Sequence, residues 1–174
     1  MNIVSKFEPA PFPLLLVTTL LLHPATALAQ AQPGYLPEFA CLMPPFGLRL
    51  PPHLPDLMQI APVRDVEILE VEKWDTYTTT RKYVHFPGLT LGLVTFSNDP
   101  TRYMVSLAEI SDARWAEISH FKVGDSTASA RRKIGSSAAG DPDLKSDYGS
   151  EGGDVRFESL NGKITKIIFR CYTG

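Results

Sequence analysis

The sequence predicts an α+β fold: an antiparallel β-sheet of about six strands, made of a meander and a C-terminal hairpin, with one short helix and a Pro-rich N-terminal arm. Three observations predict it. Between Val66 and Ile110, runs rich in β-branched and aromatic residues alternate apolar and polar positions and are broken by short turns. Residues 124–135 hold the single clear helix pattern, opening on Gly124-Asp125-Ser126 and stopping at Ile134-Gly135. Asn161-Gly162 lies between two further strand-like runs, as the type I′ hairpin turn requires. The chain divides into a leader (1–29), the arm (30–62) and a single domain (63–174).

The leader has the shape of a secretory signal. Lys6 supplies its basic charge, Leu14 to Leu22 its apolar run, and Ala27-Leu28-Ala29 a small-x-small cleavage site. Cleavage is expected before Gln30, with Ala31 the next choice. The apolar run is shorter than the about 20 residues of a membrane-spanning helix. Cys41 follows Glu38-Phe39-Ala40, a poor context for lipidation, so no membrane anchor is expected once the leader is removed. The localisation that follows is the periplasm or the outside of the cell.

Residues 30–174 have the size of one ordinary domain. The formal net charge of −2 gives no basic surface for nucleic acid or an anionic membrane. The two cysteines of the chain, Cys41 and Cys171, both lie beyond the leader. In an oxidising compartment they are expected to pair and tie the arm to the last strand. Closing so long a loop is worth about 4–5 kcal/mol in the chain-entropy account. Redox work by free thiols would call for a Cys-x-x-Cys spacing, which the sequence lacks.

The arm carries prolines at 33, 37, 44, 45, 51, 52, 55 and 62, too many for a helix interior or a central strand. Leu36, Phe39, Leu42, Phe46 and Leu48 make it too apolar for a solvated linker, so it is expected to lie extended over the sheet. In the domain, Val66–Val71, Thr76–Phe86, Leu89–Phe96 and Tyr103–Ile110 read as strands. Pro87-Gly88 and Ser97-Asn98-Asp99-Pro100 read as turns between them. Asp112–His120 reads as a further strand or a loop. Asp125 or Ser126 can cap the helix, Ala130 and Ile134 share one face, and Gly135 suits its end. Arg131-Arg132-Lys133 fall in its last turn, where cations suit the helix dipole. A loop dense in Gly, Ser and Asp spans 136–153, and the strands Asp154–Leu160 and Lys163–Tyr172 close the chain.

Val123-Gly124-Asp125-Ser126, Ala130 and Ile134-Gly135, then Tyr148, Val155-Arg156-Phe157 and Asn161-Gly162-Lys163-Ile164, follow a recognisable pattern. Over residues 121–171 the chain resembles the helix-plus-sheet unit of β-lactamase-inhibitor-like proteins and of small outer-membrane-assembly lipoproteins. The inhibitors carry that unit twice, and residues 63–120 show no second copy. The assembly lipoproteins carry a lipobox, which is missing. The resemblance implies a scaffold whose curved sheet and post-helix loop grip another protein, without catalysis.

The residues agree with that expectation. Gly124-Asp125-Ser126 looks like an esterase nucleophile block, but no histidine follows His120 to serve as base, and a nucleophile without a base is inert. His53, His85 and His120 lie far apart and lack ligand spacing, so no metal is expected. Glu67, Glu70 and Glu72 read as the outer face of a strand. Catalytic residues and cofactors are thus expected to be absent. The loop 136–153 is either a solvated insertion or a contact surface, and the second reading makes Tyr148 an anchor and Asp141, Asp143 and Asp147 charges facing a basic cleft. The expected partner is a protein, an enzyme or a toxin, and the expected role is that of an inhibitor or immunity protein. The alternative is an envelope-assembly or structural accessory factor.

Overall fold

Seven strands build one antiparallel sheet in the order β1-β2-β3-β4-β7-β6-β5. The computed structural model of the chain describes residues 34–172. The expected leader, and residues 30–33 of the arm, lie outside the described residues.

The meander is β1 (Asp65–Lys73), β2 (Thr78–Phe86), β3 (Leu89–Phe96) and β4 (Asp99–Ile110). Alternation sets its inner face: Val84, Phe86, Leu89, Leu91, Leu93, Val105, Ala108 and Ile110 are all buried. The turn before β4 is tighter than its Ser97-Asn98-Asp99-Pro100 signature predicts. β4 begins at Asp99, and Pro100 is tolerated at the start of a strand.

Residues 112–120 form no strand. Asp112 accepts from the Arg114 N–H at 2.9 Å and starts a 3₁₀ turn, Ala113–Trp115, whose buried indole donates to the Pro87 carbonyl at 2.8 Å. The helix α2 (Thr127–Ile134) follows, preceded in the chain by the single turn α1 (Leu54–Leu57). Ser126, rather than Asp125, is its cap, accepting from the Ser129 N–H at 3.1 Å, and Asp125 pairs with Lys133 at 3.0 Å. Gly135 ends it at φ 75°, and Ala130 and Ile134 face the core.

β5 (Tyr148–Ser150), β6 (Gly153–Leu160) and β7 (Lys163–Cys171) complete the sheet. The β6–β7 turn has Asn161 at φ 51° and Gly162 at φ 73°, the left-handed pair of a type I′ turn. β7 then pairs with β4, Leu107 opposite Arg170 through Ile110 opposite Ile167, which joins hairpin to meander. The strand count exceeds the expected six because β5 forms within the acidic loop.

Residues 34–62 lie irregularly against the inner face. Leu36, Phe39, Phe46, Leu48 and Leu57 are buried, Phe39 stacks on Phe169, and Phe46 stacks on Phe121. Cys41 and Cys171 form a disulfide with Cα atoms 5.6 Å apart across 130 residues of sequence.

Candidate functional site

The four acidic-loop residues expected to meet a partner occupy distinct positions. Tyr148 is fully buried at 0% exposure, with its ring beside Phe157. Its hydroxyl donates to Asp141 at 2.6 Å, and the same carboxylate accepts from the N–H groups of Lys145 (3.0 Å) and Ser146 (2.7 Å). Burial opposes the charge of Asp141, but these hydrogen bonds outweigh it and hold its carboxyl well below the ordinary carboxylate range. Burial, together with the neighbouring charge of Asp141, pushes the Tyr148 phenol up. This pair folds the loop onto itself, and the ring of Tyr148 is taken up by the core. Asp143 faces solvent and, among the described residues, pairs only with Lys145, at 3.0 Å.

Asp147 enters an ion cluster on the outer face. It accepts from Arg156 at 2.6 Å and Arg170 at 2.5 Å, and Arg170 also reaches Asp154 at 2.8 Å. Burial raises the Asp147 carboxyl, and the two arginines overcome it and lower it. The cluster borders an open cleft of about 690 Å³, flanked by Tyr35 and Tyr172. Because its charges satisfy one another, it works as a clamp across β5, β6 and β7. The adjoining sheet edge is closed by the N-terminal segment: Leu36 donates to the Gly149 carbonyl at 2.8 Å, and Gly149 donates to that of Gly34 at 2.9 Å. Ser137 Oγ adds a bond to the Tyr35 carbonyl at 2.5 Å, and Ser150 Oγ one to that of Phe39 at 2.7 Å.

The residues weighed for catalysis form no hydrogen bond to one another among the described residues. Ser126 is engaged in capping, and among the described residues no histidine is hydrogen-bonded to it. His85 approaches Thr90 at 3.1 Å, while His120 packs edge-on against Phe46 and Phe121. Among the described residues no three His, Cys, Asp or Glu side chains assemble as a ligand set.

The opposite edge is different in kind. All nine residues of β1 are exposed. Directly opposite residues of an antiparallel pair share a face, so Val66 (opposite Val84), Ile68 (opposite Lys82) and Val71 (opposite Thr80) extend the apolar inner face of the sheet. They remain 42%, 63% and 53% exposed, because the cover that buries Val84 stops at β2. Glu67, Glu70 and Glu72 stand on the outer face, opposite Tyr83, Arg81 and Thr79.

An irregularity between Ile68 and Glu70 makes Leu69 an extra residue, and this keeps the glutamates on one face despite their odd-to-even spacing. Glu70 pairs with Arg81 at 3.0 Å, whereas Asp65 and Glu67 enter no ion pair among the described residues. Beyond the strand, Trp74 stacks on Tyr77 with ring centroids 6.0 Å apart.

No protein-family model, curated protein or solved structure matches this chain. Two surfaces emerge, a closed edge whose polar groups are spent internally and an open edge whose apolar and acidic groups are not. The sequence contained a signal for the second, since a run of alternating β-branched and acidic residues marks a two-faced strand. Where the cover ends depends on the path of residues 34–62, which alternation does not encode.

Proposed function

We propose that this chain is a secreted or periplasmic protein-binding protein that occludes a partner enzyme, as an inhibitor or as an immunity protein against a toxic effector. The observation that carries the reading is the open edge. Large apolar side chains held out on an ordered strand, with no described residue covering them, are a mark of interaction surfaces. A disulfide suits an oxidising compartment and agrees with the leader-like N-terminus. Partner contact is assigned to β1 in place of Tyr148, Asp141 and Asp147, with Asp143 the one loop acid of that set still turned to solvent.

The test is cross-linked affinity capture with the cleaved protein, followed by turnover assays on each enzyme recovered. Stoichiometric loss of turnover supports the reading, and a captured enzyme of unchanged activity refutes occlusion. The alternative, an envelope-assembly accessory factor, is favoured by the resemblance of residues 121–171 to the assembly lipoproteins. Deletion separates the two. An accessory factor gives an envelope defect in pure culture, while an immunity protein matters only when its toxin is present.

A further inference from the structure

We infer that β1 receives an extended segment of the partner as an eighth strand, and that this segment alternates basic with apolar residues. The inference deepens the protein-binding reading and rests on it. Its first support is backbone chemistry. Among the described residues β1 pairs with β2 on one side only, so its other side presents N–H and C=O groups that no described residue pairs with, along nine residues, a template for strand addition.

Its second support is charge. Asp65, Glu67, Glu70 and Glu72 all lie on the outer face of the strand, and Glu70 alone among them has a basic partner among the described residues. An incoming strand places every second side chain beside that acidic row and the intervening ones beside Val66, Ile68 and Val71. Basic residues fit the first set of positions and apolar residues the second.

The same pattern argues against a second copy of this chain as the occupant. Lys73 is the only base in β1, against four acids, so pairing two β1 edges brings carboxylates together, and like charges directly opposite destabilise a sheet. The extra residue at Leu69 also sharpens the local twist, which hinders pairing with a copy carrying the same bulge.

The probe is a synthetic peptide of about nine residues alternating Arg and Val, matched to the length of the open strand. A peptide with Glu replacing Arg is the control. Binding to the disulfide-intact cleaved protein is read by fluorescence anisotropy, and its location by amide hydrogen exchange. The Arg peptide is expected to bind one to one, to protect amides of β1, and to bind at least roughly tenfold more tightly than the Glu peptide. The double variant Asp65→Lys, Glu67→Lys, in residues that hold no ion pair among the described residues, is expected to reverse that preference.

Equal binding of the two peptides, or protection mapping away from β1, overturns the inference. Slow exchange at β1 together with dimers in sedimentation of the free protein overturns it in favour of a second copy. Failure here is distinguishable from failure of the broader reading. A captured enzyme that is inhibited but protects some other surface leaves the protein-binding role standing and removes β1. Charge-selective peptide binding without any inhibited enzyme leaves the edge site standing and removes the occlusion.

Discussion

At one edge of the sheet β5 is three residues long, and the backbone of residues 34–36 pairs with it. At the other, β1 runs nine residues and no described residue pairs with its outer side. The closed edge spends its chemistry on itself. Carboxylates meet guanidinium groups, Tyr148 meets Asp141, and a disulfide ties Cys171 at the end of β7 to the segment lying over the sheet. The open edge holds apolar groups away from the core and leaves three carboxylates, those of Asp65, Glu67 and Glu72, without a basic partner among the described residues. Groups that stabilise a fold and groups that are left available are thus separated by the width of one sheet.

Removing the disulfide strikes the closed edge hardest. Cys41→Ala with Cys171→Ala is expected to lower stability by about 5 kcal/mol, from the long loop released in the unfolded chain. Urea denaturation measures it, and hydrogen exchange should quicken first at Leu36 and Gly149 while β1 amides keep their rates. A loss below about 1 kcal/mol would show that the N-terminal segment holds without its staple. Gly149→Ala comes next. A Cβ there would collide with the Gly153 carbonyl oxygen and lie 2.6 Å from Asp154 Cα, backbone that cannot swing aside. The expected cost is about 3 kcal/mol, at the upper end of overpacking, measured as a shift in the denaturation midpoint.

Much of this contrast is hidden from the sequence for physical reasons. The Asn161-Gly162 turn, the Ser126–Gly135 helix and the cysteine pairing are legible because each follows from local stereochemistry or from a count of two thiols. β5 is not, because Tyr-Gly-Ser has little strand character of its own and takes it from β6 on one side and Tyr35 on the other. The β4–β7 pairing spans some sixty residues and leaves no periodic trace. In the acidic loop, composition cannot distinguish a carboxylate that binds its own backbone from one that faces solvent. Asp141 and Asp143, two residues apart, do one each.

Asp141 offers a pH-dependent version of the comparison. Asp141→Asn is expected to cost about 2 kcal/mol at pH 7, the worth of hydrogen bonds to a charged acceptor. The sign follows from linkage. The folded carboxyl titrates below its ordinary value of 3.8, so its contribution is complete above that pH and is lost as the pH falls towards the lowered value. The gap between wild type and variant should therefore narrow below pH 3.8. A gap independent of pH would mean that shape rather than charge holds the loop.

The smallest expected effect on stability is the most informative about the open edge. Val66→Thr, Ile68→Thr and Val71→Thr keep β-branching and strand propensity while removing apolar surface. Were these side chains packed in the fold, each change would cost on the order of 1 kcal/mol or more. Because they are exposed in the free protein, the triple variant should unfold within about 0.5 kcal/mol per site of the wild type. Its binding should not be so tolerant, since the same three side chains supply the apolar face that an added strand would cover. Stability unchanged with binding lost marks the residues as an interaction surface. A folding loss of several kcal/mol would instead show that β1 is covered in solution, and the contrast between the two edges would disappear.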